Sequence, residues 1–177
     1  MLFRSVRPPQ AGGRVDLVVR VTLVGVRVEV PSNQPIMLLR EEAEPRRYLP
    51  IFIGSPEATA IVYALQGMET PRPMTHDLVT TLLEDLGARL TAVEITELHE
   101  GTFFAELEIA HGDRTVRLSA RPSDAMALAV RQSEPVRITV ADEVIDEAGL
   151  HFDAEEDEEQ IEEFREFLDQ ISPEDFG

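Results

Sequence analysis

The segment Ala125-Met126-Ala127-Leu128-Ala129-Val130 constrains this chain more than any other, because it is apolar on every side. A helix without a polar face has to be enclosed, and its small side chains let neighbouring backbones approach closely. The strand-like run before it breaks at Arg121-Pro122, since proline suits the first turn of a helix and not a strand interior. Ser123 or Asp124 is expected to cap the free amides there. The mouth of this enclosed helix therefore presents Arg121, Ser123 and Asp124 together, and this polar triplet is the first candidate site.

The flanking sequence supplies the layers that enclose the helix. Residues 15–30 alternate Leu17, Val19, Val21 and Leu23 against Val18, Arg20 and Thr22, the period of one long strand or two consecutive ones. Strand-like runs at 36–40 and 48–53 follow after turn residues at 31–35 and 41–45, which predicts an antiparallel meander. Gly54-Ser55-Pro56-Glu57 opens a helix with Ser55 as the expected cap and Pro56 at the first helical position. A proline-rich link leads to a second helix from Thr75-His76-Asp77, in which Leu78, Leu82, Leu83 and Leu86 recur at helical spacing as far as Gly87. Runs at 90–98, 102–110 and 115–120, joined by Glu100-Gly101 and His111-Gly112-Asp113, read as hairpin-linked strands, and Arg137-Ile138-Thr139-Val140 is a last short strand. This order predicts an α+β domain with a largely antiparallel or mixed β-sheet covered by helices.

At 177 residues the chain suits one domain, large enough to bury roughly 70% of its unfolded surface. It has no cysteine, which excludes disulfides and thiolate metal sites and suits a reducing cytoplasm. No apolar run approaches the ~18 residues of a membrane span, because Arg20 and Arg27 interrupt the Val-rich stretch. The net charge of −18 is unevenly placed: residues 1–140 hold 18 acids and 15 arginines, a net of −3, and residues 141–177 hold 16 acids and one arginine, a net of −15. The reading is of a loose lead at 1–14, a body at 15–150 and an acidic tail at 151–177. Within the tail Ile161, Phe164, Leu168 and Ile171 mark an amphipathic helix suited to a protein partner. The tail argues against tight, extended DNA binding. All sixteen basic side chains are arginine, which removes mechanisms that need a catalytic lysine. Glycine-rich phosphate loops, His-Glu-x-x-His and Gly-x-Ser-x-Gly are absent.

Phosphate chemistry requires groups that neutralise phosphoryl oxygens and groups that activate water. Arg72, Thr75, His76 and Asp77 at one helix start, Arg121, Ser123 and Asp124 at another, and Glu57 at a third provide those types. If the three starts converge, they form an anion-attracting cleft whose carboxylates suit Mg2+ or Mn2+. Against this stands a purely structural account. Acids in a first helical turn stabilise it by ~0.3–1 kcal/mol without any catalysis, and arginines can pair with them. Arg72-Pro73 and Arg121-Pro122 share a form that fits either a diverged duplication or coincidence. Glu106 and Glu108, on one face of what reads as a solvent-facing edge strand, are a weaker metal alternative.

At these residues the chain resembles the bifunctional nuclease domain family of bacteria and plants, whose members are described as having both DNase and RNase activity. The resemblance rests on Leu49-Pro50-Ile51-Phe52-Ile53-Gly54 with Glu57-Ala58, and on Arg72-Pro73-Met74-Thr75-His76-Asp77-Leu78. It continues in Glu100-Gly101-Thr102-Phe103-Phe104-Ala105 and Ser119-Ala120-Arg121-Pro122-Ser123-Asp124-Ala125. The end of the chain, 166–176, is similar to the tail of actinobacterial-type members. The resemblance implies a compact α+β domain, a homo-oligomer (dimer or trimer) and nucleic acid as a weakly and non-specifically bound substrate. It carries Glu57, Arg72, Thr75, His76, Asp77, Arg121, Ser123 and Asp124 as motif positions. Two readings follow. In the first, Asp77, Asp124 and Glu57 hold Mg2+ or Mn2+, Arg72 and Arg121 steady the phosphate beside Ser123 and Thr75, and His76 is the acid or base of a DNA- and RNA-cleaving phosphodiesterase. In the second, the chain is a non-catalytic binding or regulatory module whose Arg-Pro corners are structural and whose acidic tail docks a protein.

Overall fold

The β-branched alternation near the start of the chain forms β1 (Val18–Glu29), which pairs antiparallel with β2 (Gln34–Glu41), itself antiparallel to β3 (Arg47–Phe52). The structure is a computed structural model that describes residues 17–29 and 33–151. The lead at 1–14 and the tail helix with Ile161, Phe164, Leu168 and Ile171 lie outside the described residues. A second antiparallel set comprises β4 (Ala88–His99), β5 (Thr102–His111) and β6 (Arg114–Ala120). Its first hairpin turns on Glu100 and Gly101, both at positive φ (49° and 76°), as a tight two-residue turn requires.

The two sets are joined by β7 (Arg137–Ala141), antiparallel to β1 and parallel to β4. With β8 (Leu150–His151) on β3, the described residues build one eight-stranded mixed sheet in the order β6-β5-β4-β7-β1-β2-β3-β8. The helices are α1 (Ser55–Leu65), α2 (Thr75–Asp85), α3 (Pro122–Ala129) and α4 (Asp142–Ala148). None of the described helices is long and apolar enough to cross a membrane. The enclosure expected of the apolar helix is met in full. Every residue of α3 except Asp124 is buried, and the helix packs against α1, α2, β4 and β5.

One element was hidden by composition. The acid-rich stretch beginning at Ala141 reads as the start of the charged end of the chain, yet it folds as α4, with Val144 and Ile145 buried in the main core between Asp142-Glu143 and Asp146-Glu147. Arg47 holds it in place. Its guanidinium takes both oxygens of the buried Glu41 (Nε–Oε2 2.8 Å, Nη2–Oε1 3.1 Å) and reaches Asp146 and Asp142 of α4. The hydrogen bond to Glu41 raises the Arg47 pKa further above its ordinary value, outweighing burial.

Removing one partner of such a pair strands a buried charge. Arg47→Met should therefore cost about 3 kcal/mol of unfolding free energy in urea titrations, and adding Glu41→Leu should recover most of that loss. Equal stability of Arg47→Met and wild type would show that Glu41 needs no counter-charge.

Candidate functional site

The starts of α1, α2 and α3 are built alike, and differently from the simple capping expectation. Their N-caps are Gly54, Met74 and Arg121, and none of the three contributes a side-chain cap. Ser55 and Pro56 are the first two helical residues of α1, and Ser123 is the second of α3, so neither Ser55, Ser123 nor Asp124 occupies the cap. The reason is proline: within the first two helical positions it sets where the helix begins. What the three starts share is an acid at the third helical position, Glu57, Asp77 or Asp124. The Asp77 Oδ2 accepts the Met74 N–H at 2.8 Å, one half of a capping box. Gly54 has its own role, since a Cβ there would lie 2.2 Å from the Glu57 Oε2. A larger residue there would push the Glu57 carboxylate aside, so glycine leaves room for it over the helix start.

These starts meet through Arg121. Its Nη2 donates to the Glu57 Oε1 at 2.6 Å and to the Asp124 Oδ1 at 3.0 Å, and its Nε donates to the Asp124 Oδ2 at 2.7 Å. The Asp124 Oδ1 also lies 3.2 Å from the His76 Nε2. A continuous chain Glu57–Arg121–Asp124–His76 thus links α1, α3 and α2. The acids and the imidazole are half-buried, whereas the Arg121 side chain is 66% exposed. Burial by itself would raise the Asp124 pKa, but hydrogen bonds and charge from Arg121 and His76 outweigh it and hold the carboxyl below its ordinary range. Arg121 is in turn raised, first by the Asp124 and then by the Glu57 hydrogen bond.

The other candidates fall outside this chain. Asp77 follows His76 by one residue and is therefore turned about 100° around the helix. Its Oδ1 accepts the Arg131 Nε at 2.5 Å, and Arg131, only 7% exposed, also donates to the Ala127 carbonyl at 2.8 Å. Asp77 thus ties the start of α2 to the end of α3. Arg72 and Pro73 precede the Met74 cap, whereas Arg121 is itself the cap, so the two Arg-Pro corners are offset by two residues. Arg72 and Thr75 are exposed, and no described side-chain contact joins them to the cluster. Ser123 is buried beneath it. Glu106 and Glu108 lie on β5, which is an interior strand and not an edge. With Glu94 they surround Arg117 at 3.5–3.8 Å, and Arg137 approaches Glu108 at 3.7 Å.

Asp77, Asp124 and Glu57 do not converge as a ligand set. Among the described residues no three His, Asp or Glu side chains form a group that could hold a metal ion. The Arg121 guanidinium stands between Glu57 and Asp124, the position a shared divalent cation would require. This donor arrangement does not fit a preassembled Mg2+ or Mn2+ site. Beside the cluster opens a groove of about 270 Å3 lined by Phe52, Gly54, Gly101, Phe103, Arg121 and Ser123. The tip of the β4–β5 hairpin forms one wall and the end of β3 the other.

Comparison with known proteins agrees with the motif resemblance. The family model of the bifunctional nuclease domain matches residues 37–153. An uncharacterized protein of Mycobacterium tuberculosis is 49% identical over 164 residues, covering 88% of this chain and 96% of that protein. Bifunctional nuclease 1 of Oryza sativa subsp. japonica is 27% identical over 116 residues, covering 64% of this chain and 35% of the rice protein. Bifunctional nuclease 1 of Arabidopsis thaliana is 24% identical over 110 residues, covering 60% and 34%. The chain thus spans about a third of the length of these plant relatives.

Asp77 gives the acid behaviour of the fold a specific source. Burial alone would raise its pKa, but Arg131 and the Met74 N–H overcome this and lower it below the usual 3.8. The stability it contributes is complete above that value and is lost as pH falls through the lower folded value. Asp77→Asn should cost about 2 kcal/mol at neutral pH, less than the ~3–5 of a fully buried pair because the Asp77 side chain is 37% exposed. It should also flatten the acid limb of unfolding curves recorded between pH 5 and 2. An unchanged acid limb would remove Arg131 as its partner.

Proposed function

The chain belongs to the bifunctional nuclease domain family, and on that premise we propose that it hydrolyses phosphodiester bonds of DNA and RNA at the Glu57–Arg121–Asp124–His76 cluster. The observation that carries this reading is the exposed guanidinium of Arg121, held by two half-buried carboxylates at the end of an open groove, with His76 on the same aspartate. Nε and Nη2 of Arg121 serve the carboxylates, which leaves Nη1 for a phosphoryl oxygen. Asp124 orients the imidazole through Nε2, so that Nδ1 acts as the base. It takes a proton from the attacking water as the water oxygen bonds to phosphorus. The ester P–O bond breaks, and the proton passes to the leaving alkoxide.

The groove suits a substrate read without regard to sequence. Phe52 and Phe103 offer apolar faces on which bases can stack, and stacking together with a phosphate contact does not distinguish deoxyribose from ribose. The cluster sets one guanidinium against two carboxylates, a charge balance that favours weak binding of a polyanion. Mg2+ or Mn2+ would correct that balance, and dependence on one of them is part of the proposal. The donor arrangement assigns no step to the metal. The same engagement of Arg121 by its own acids favours the competing reading of a non-catalytic module, and activity separates the two.

Purified full-length protein should cleave single-stranded DNA and RNA oligonucleotides with Mg2+ or Mn2+ and lose that activity in EDTA. His76→Ala should lower kcat by about 10²–10⁴-fold with little change in KM, and Arg72→Ala should leave both parameters within about twofold. No cleavage with either cation, or full activity in His76→Ala, would favour the non-catalytic module.

A further inference from the structure

The described helices bury their apolar residues in a core on one face of the sheet, against Met37, Leu39, Leu49 and Ile51. Successive strand residues point to opposite faces, so Ile36, Leu38 and Arg40 of β2 belong to the other face. Cross-strand partners share a face. Ile36 stands opposite Phe52 of β3, Leu38 opposite Pro50, and Arg40 opposite Tyr48, which is itself opposite Leu150 of β8. On β1, Gly25 pairs with Leu38 and Thr22 with Arg40, and Arg20, two residues before Thr22, lies on the same face. The result is an apolar patch, with Phe52 57% and Leu150 47% exposed, bordered by Arg20 and Arg40. Ile36 and Leu38 are half-buried, yet they belong neither to the core cluster nor to the side chains packed on it. Among the described residues no ion pair reaches Arg20 or Arg40, and the Arg40 Nε is buried without a hydrogen-bond acceptor. Such a donor is destabilising until an acceptor reaches it.

We propose that the acidic segment 152–177 of the same chain docks on this patch. Ile161, Phe164, Leu168 and Ile171 lie against Leu38, Pro50 and Phe52, and the acids at 153–159 lie over Arg40 and Arg20. The chain leaves β8 at His151, one residue past Leu150, so the segment starts at the edge of the patch itself. The nine residues 152–160 precede the apolar stripe and span up to ~30 Å when extended. From β8 to β1 is only ~14 Å, three strand spacings, and a helix over 161–171 is ~16 Å long. Charge selects this occupant. Six of the seven residues 153–159 are acids, and 152–177 as a whole holds 12 acids and one arginine. Arg40 is two strands in from Leu150, ~10 Å, within reach of the first of these acids. The tether holds the segment at an effective concentration on the order of mM, above that of an acidic partner in solution. Phe52 also lines the groove beside Arg121, so the docked segment covers one wall of that groove.

The proposal does not rest on the nuclease reading, because its test reads exchange and cross-linking and not cleavage. In hydrogen-exchange mass spectrometry of the full chain, residues 161–171 should exchange at least about tenfold more slowly than they do in Leu168→Glu. Arg40→Glu should release them as well, and α3 should keep its protection in both variants. The chain has no cysteine, so a full chain carrying Leu38→Cys and Leu168→Cys should be joined within one molecule by a short bis-maleimide. Leu82→Cys, on the exposed stripe of α2, should not be joined to Leu168→Cys. Exchange of 161–171 that is equally fast in the unsubstituted chain and in Leu168→Glu, equal cross-linking to both positions, or a cross-link between two chains overturns the proposal.

Discussion

Enclosure of α3 governs where polar chemistry can appear in this fold. A helix that is apolar on every side offers charged groups only at its ends, and each end must then find partners on neighbouring elements. At its start, Arg121 and Asp124 draw in Glu57 from α1 and His76 from α2. Just beyond its end, Arg131 draws in Asp77, also from α2. Consecutive residues of α2 are thus divided between the two ends of one buried helix. The first end is exposed and opens on a groove, while the second is closed over a guanidinium with little access to water. The difference separates a candidate site from a brace.

The same arrangement explains the character of the site. Two carboxylates on one arginine are an expensive use of acid unless the arginine must be held in a fixed pose, since a flexible guanidinium on the surface would otherwise sample many rotamers. Glu57 and Asp124 fix it from two directions, and Gly54 makes room for the first of them. The cost is a cluster with little net attraction for a polyanion. In the proposed nuclease reading, contact with nucleic acid is then weak and sequence-independent, and the aromatic walls of the groove supply what charge does not.

Much of this was legible in the residues. The apolar run 125–130 demanded a buried helix, the alternation at 15–30 one strand or two, and Glu100-Gly101 a hairpin, and each depends on local chemistry alone. The convergence of Glu57, His76 and Asp124 was posed by residue type but could not be located, because it is set by how α1 and α2 pack on α3. Asp77 and His76 differ by one residue and cannot be assigned to opposite ends without the helix phase. Arg131 could have been found: an arginine two residues past a buried helix needs a carboxylate. Ser55 and Ser123 misled because a proline within the first two helical positions sets each start, which leaves each serine inside the helix and not at its cap. The acids around Val144 and Ile145 concealed α4, since a short ridge of two apolar residues leaves almost no periodic signal. Leu78, Leu82 and Leu86 illustrate a further limit, because helical spacing identifies a stripe but not what covers it.

The central claim is that Glu57 and Asp124 act as one unit through Arg121. A double-mutant cycle on Glu57→Gln and Asp124→Asn, measured as kcat/KM for cleavage of a single-stranded oligonucleotide, tests it most directly. If the two carboxylates share the guanidinium, their effects will be non-additive by about 1 kcal/mol or more, and the coupling will vanish in Arg121→Ala. Strictly additive losses, or coupling that survives without Arg121, would contradict the account.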